Sequence, residues 1–161
     1  MIVRAQKLTA ANFKLFGDVL ETTGRVPEVI NQGNTQKFAD LADISVTMGG
    51  RVQCSIYHSA AIELPFHIRL MERHPLGSQL FYPLHDRPFP VIVAPADAKP
   101  NAANIQAFIS NGQQGINLHA NIWHHYQLTL GQASDYMVID RKGPGSNYQE
   151  HHLDEDLYLH L

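Results

Sequence analysis

The chain is broken into many short apolar runs, and almost none of it has the length or period of a helix. Residues 2–8, 18–21, 52–58, 67–74, 81–84, 91–94, 105–110, 115–119, 124–130 and 136–140 each read as a strand. Turn formers separate them: Gly24, Pro27, Asn31 and Gly33 in one loop, Pro88 and Pro90 in another, and Asn111-Gly112 as a hairpin signal. The only credible helix runs from a capping Thr9 to a glycine stop at Gly17, while 38–43 suits a strand or a helical turn equally. This pattern predicts an all-β sandwich or barrel with one or two short helices.

At 161 residues, 44% hydrophobic and 17% charged, the chain makes one domain, 1–161, with a substantial core. From about residue 143 it turns polar, ending in His151, His152 and His160 beside Asp154-Glu155-Asp156, which reads as an irregular, solvated tail. A net charge of −3 with mixed signs argues against a nucleic-acid partner. Cys54 is the only cysteine, which points to a reducing compartment. The segment Met1–Lys7 lacks the apolar core of a signal peptide, and no run approaches the ~20 residues of a membrane helix. A cytoplasmic protein without a membrane partner is expected.

Two strands carry the chemistry. In the 67–74 run, alternation places Ile68, Leu70, Glu72 and His74 on one face and His67, Arg69, Met71 and Arg73 on the other. The apolar face should turn inward, so Glu72 and His74 should enter the core at its open end, with Gln79 following on the returning strand. A carboxylate, an imidazole and an amide oxygen from one hairpin can bind a divalent ion or move protons. In 124–130, His124 shares a face with Tyr126, Leu128 and Leu130, so His124 is the inward imidazole and His125 the outer one. His119 is the fallback for His124.

The spacing of Glu72, His74 and Gln79 resembles the first metal-binding motif of the cupin superfamily, with Glu and Gln at its outer positions, and His124 falls where the second-motif histidine would. More narrowly, the segments Phe16–Glu21, Glu72–Gln79, Phe108–Asn117, Trp123–His125 and Ile139–Arg141 resemble the ureidoglycolate lyase family, formerly called hydrolases, of allantoin and purine breakdown. That resemblance implies a cupin-type jelly-roll barrel with the site in its mouth, and a homodimer. It implies cleavage of (S)-ureidoglycolate to glyoxylate and urea, with a divalent ion, nickel, held by Glu72, His74, Gln79 and His124. Without a metal, Glu72 or His74 would be the base and His124 the acid.

The substrate carboxylate needs a cation or a set of donors, for which Arg73 and Arg141 are the candidates; Trp123 and Tyr126 would wall the pocket. The alternatives are an amidohydrolase releasing ammonia, another cupin enzyme such as a sugar epimerase or dioxygenase, and a non-catalytic small-molecule-binding cupin. Against the last stands the inward clustering of Glu72, His74 and His124, which burial makes costly without a purpose.

Overall fold

A computed structural model describes residues 1–161. Its α-helix, α1 (Ala10–Phe13), exists because of its cap. Thr9 Oγ1 accepts from Asn12 N at 3.2 Å and Asn12 Oδ1 accepts from Thr9 N at 3.0 Å, satisfying two amides reciprocally. The strands are β1 (Ile2–Lys7), β2 (Gly17–Leu20), β3 (Glu28–Ile30), β4 (Thr35–Lys37), β5 (Arg51–Ser59), β6 (Ala61–Ile62), β7 (Phe66–Arg73), β8 (Gln79–Pro83), β9 (Pro90–Ala94), β10 (Gln106–Ile109), β11 (Gly115–Leu118), β12 (Trp123–His124), β13 (Thr129–Leu130), β14 (Ser134–Lys142) and β15 (Gln149–His160). The architecture is all-β, as the strand pattern predicted, and is consistent with a cupin jelly roll. No helix is long and apolar enough to cross a membrane.

Strand β15 pairs with β7 on one side and β1 on the other, closing a six-stranded barrel in the order β1–β10–β9–β12–β7–β15. A five-stranded sheet, β2–β11–β8–β14–β5, lies over one flank of that barrel. Two cores result. Val19, Phe81, Ile116, Leu118, Tyr136 and Val138 of the sheet meet Val91, Val93 and Phe108 of the barrel. The second core draws on barrel strands for Ile68, Met71, Ile92, Ala94, Ala107, Trp123, Leu157 and Leu159. Strand β9 serves both by alternation, Val91 and Val93 to one core and Ile92 and Ala94 to the other, and is buried along its whole length. Each fully buried side chain of this size contributes about 1.5–3 kcal/mol.

Three expectations are corrected here. The tail is not irregular: residues 149–160 form the strand that closes the barrel, with Leu157 and Leu159 in its core. The run 124–130 is not one strand; β12 and β13 are two residues each, and Leu128 packs in the core on the far side from His124. Strand β7 does not alternate evenly either. Ile68 and Met71, three positions apart, belong to the same core, and the β7–β15 ladder shifts register between His152 and Leu157. The irregularity reverses the faces, so Met71 and Arg73 lie on the barrel-core side, and Glu72 and His74 turn toward the five-stranded sheet.

Candidate active site

The register of β12 places His124 opposite Glu72 of β7 and Val93 of β9, so these side chains share the face turned to the five-stranded sheet. Gln79, the first residue of β8, meets them from across the gap. His124 Nε2 lies 3.1 Å from Gln79 Oε1 and 3.5 Å from Glu72 Oε1, and His74 Nε2 lies 3.9 Å from the same Glu72 oxygen. The hairpin and the short strand thus bring Glu72, His74, Gln79 and His124 together.

The backbone fixes both imidazoles. His74 Nδ1 donates to the Asn147 carbonyl at 2.8 Å, and His124 Nδ1 donates to the Ile122 carbonyl at 3.1 Å. A carbonyl only accepts, so each Nδ1 carries the hydrogen, and in the neutral ring each Nε2 presents a lone pair to the site. His74 Nε2 is buried there without a partner. Two lone-pair nitrogens, a carboxylate and an amide oxygen therefore converge on one point, an arrangement that calls for a proton or a metal ion. Ligands at ~2.1 Å from a shared ion stand roughly 3–4 Å apart, so the observed spacings fit one. The Nδ1-to-carbonyl bonds are the kind that orient metal-bound imidazoles.

Burial pushes the Glu72 carboxyl up, but the hydrogen bond and charge of His124, aided by His74 and His125, outweigh it and hold the pKa below the ordinary value. Burial, reinforced by the charge of His124, lowers the pKa of His74 against the opposing pull of Asn147 O and Glu72. An anionic carboxylate beside a neutral, base-competent imidazole is the resting state these shifts favour.

A cavity of about 370 Å³ opens onto the cluster, walled by Tyr57, Ser59, Phe81, Tyr126, Gln127 and Tyr148. Tyr126 is in this wall, although it lies beyond the end of β12 and is half exposed. The other proposed contacts are elsewhere. Trp123 lies in the barrel core with the Arg73 guanidinium 4.3 Å above its ring, and Arg73 donates to Gln149 Oε1 and Ala96 O. Arg141 is 7% exposed and spends its donors on the carbonyls of Thr47, Met48 and Pro144. No arginine or lysine lines the cavity. His119 faces Asp18 instead.

Tyr57, Ser59 and Tyr148 escaped sequence reasoning for identifiable reasons. On β5 the apolar set is exposed, Val52 at 50% and Ile56 at 59%, and the polar set that includes Tyr57 and Ser59 faces the site, reversing the usual signal. Tyr148 sits in the stretch read as tail. Its O–H donates to Glu150, whose carboxylate raises the phenol's pKa, and its ring lies 6.1 Å from that of His74.

His125 is buried, at 6% exposed, not outward. It leaves the pleat after the two-residue β12, donates through Nδ1 to Tyr126 O at 3.2 Å and sits edge-on to Phe66. Burial drives its pKa down to about 4. A histidine whose folded pKa is depressed stabilises fully above its unfolded value near 6.5 and loses that contribution as pH falls toward 4. The expected loss over that window is roughly 3 kcal/mol, and urea unfolding at several pH values should show it for the wild type but not for His125→Asn.

The match to known proteins is extensive. A family model described as ureidoglycolate lyase matches residues 1–160. The chain is 46% identical over 155 residues to a ureidoglycolate lyase of Burkholderia mallei, covering 96% of this chain and 91% of that one. It is 43% identical over 157 residues to one of Pseudomonas fluorescens, covering 97% and 94%, and 41% identical over 160 residues to one of Pseudomonas aeruginosa, covering 99% and 95%.

Proposed function

We propose that this chain, which belongs to the ureidoglycolate lyase family, is an enzyme that cleaves ureidoglycolate to glyoxylate and urea. The observation that carries the reading, beside that membership, is the convergence of Glu72, His74 and His124, whose ligand atoms all lie within 4.8 Å of one another.

The substrate bears a carboxylate, a hydroxyl and a ureido nitrogen on one carbon. With no ion bound, the His74 Nε2 lone pair accepts the hydroxyl proton, the oxygen's electrons form the aldehyde carbonyl, and the C–N bond breaks toward nitrogen. Protonated His124, between Glu72 and Gln79, returns a proton to the departing urea, so no water is consumed. Glu72 stays anionic and stabilises whichever imidazole is charged. A divalent ion held by Glu72, His74, Gln79 and His124, nickel being the one the resemblance implies, would take both Nε2 lone pairs and, in place of that imidazole chemistry, would supply Lewis-acid polarisation of the substrate hydroxyl and a counter-charge for its carboxylate. The mixed imidazole, carboxylate and amide donors suit such an ion, and the absence of arginine and lysine from the cavity wall supports a need for it.

The exposed apolar side chains of edge strand β5, Val52 and Ile56, support a homodimer, and the free, exposed Cys54 supports a reducing, cytoplasmic setting. Incubation of the purified protein with ureidoglycolate, with urea, glyoxylate and ammonia measured separately, tests the reaction. Equal urea and glyoxylate without ammonia are expected; ammonia as an early product would overturn the lyase reading in favour of the amidohydrolase.

A further inference from the structure

The proton from His124 neutralises the departing nitrogen only once it has been transferred, and charge builds up before then. As the C–N bond breaks, electrons move onto the ureido group and collect partly on its carbonyl oxygen. The cavity wall holds no arginine or lysine; of its amides Gln79 turns its oxygen to His124 and Gln127 donates to Leu128 O, and its hydroxyls are those of Tyr57, Ser59, Tyr126 and Tyr148. Only Tyr148 is already held as a donor beside the cluster. Its O–H hydrogen-bonds the Glu150 carboxylate, and Glu150 stands directly opposite Glu72 in the β7–β15 ladder. The segment that carries it is fixed to the same machinery. Asn147, the preceding residue, supplies the carbonyl that orients His74 and accepts from Leu76 N through its side chain at 2.7 Å. The phenol and the imidazole are thus set relative to each other by one turn of backbone.

We infer that Tyr148 donates its O–H to the ureido carbonyl oxygen of the substrate, exchanging Glu150 for that oxygen, and stabilises the charge developing there while keeping its proton. The inference rests on the reading of this site as the ureidoglycolate-cleaving centre. Glu150 is not stranded by the exchange, because its other oxygen is held by His152 Nε2 at 2.6 Å. The assignment also gives the site its discrimination: a 2-hydroxy acid without a ureido group can occupy the cluster but gains nothing from Tyr148.

Tyr148→Phe tests this, with glycolate, which has the carboxylate and hydroxyl but no ureido group, as a competitive probe. Because the donor acts mainly on charge that appears in the transition state, kcat should fall about 10²-fold. KM should move less than about threefold, and the glycolate inhibition constant and the melting temperature should match the wild type. A kcat within about threefold of wild type would overturn the assignment. So would a parallel loss of glycolate inhibition, since that would mean the substitution disturbs the cluster itself. Wild-type protein that releases no urea would instead show that the functional reading has failed, and this inference with it.

Discussion

Glu72→Gln should lower kcat/KM for ureidoglycolate about 10³-fold while shifting the melting temperature by no more than roughly 2 °C. Glutamine preserves the shape of the side chain and its oxygen toward the site, so the packing is unchanged. What is lost is the negative charge 3.5 Å from His124 Nε2 and 3.9 Å from His74 Nε2. Both imidazoles need that charge to carry a proton during turnover, and a bound ion would lose its anionic ligand. Pairing with the histidines outweighs the desolvation cost of the carboxylate, so neutralising it should lower stability, but only slightly because the two contributions oppose each other. Steady-state kinetics with thermal unfolding on the same preparation decide the matter. A variant that keeps its activity but melts well below wild type would mark Glu72 as structural.

Arg141→Met should cost about 3–5 kcal/mol of stability, lowering the melting temperature by roughly 10 °C, and should reduce activity as well. The guanidinium donates to Thr47 O at 2.8 Å, Met48 O at 3.2 Å and Pro144 O at 2.6 Å. Methionine would strip the side-chain donor from all three, leaving Thr47 O with the Gly50 amide alone. The niche is shaped for the arginine. A Cβ on Gly77 would come within 2.7 Å of the Arg141 Cβ, and one on Gly50 would strike its guanidinium. The bond to Pro144 anchors the turn that continues to Asn147 and Tyr148, so losing it should loosen His74 too. Arg141→Lys should be nearly as damaging, because a single ammonium cannot span three diverging carbonyls. Chemical denaturation of both variants measures this; a midpoint close to wild type would contradict it.

The fold class was legible because the turn chemistry and strand-length apolar runs are strong local signals, and the capping threonine at Thr9 marked the start of the one α-helix. What eluded the sequence were places where pairing overrides period. The polar stretch after Gly143 becomes β15 because β1 and β7 offer it two open edges, and its alternate residues Leu153, Leu157 and Leu159 suffice to seal the barrel. Four residues of the cluster, Glu72, His74, Gln79 and His124, were readable from spacing and resemblance. The direction of Glu72 was expected for the wrong reason, since Ile68 faces a different core and the bulge supplies the turn inward. Arg73 and Arg141 were credible as anion ligands only while their carbonyl, amide and aromatic partners were out of sight. Tyr57 and Ser59 of β5 and Tyr148 after the 143–147 turn join the wall from far apart in sequence, and no local pattern announces them.

The adjacent histidines test the central claim most directly, because both are buried and only one has its Nε2 on the cluster. The measurement is kcat/KM for urea release by His124→Asn and His125→Asn under identical conditions. The account predicts a loss of about 10³-fold for His124→Asn, and for His125→Asn an activity within about threefold of wild type despite a stability changed by roughly 1–2 kcal/mol. Retained activity in His124→Asn, or abolished activity in a folded His125→Asn, would contradict it.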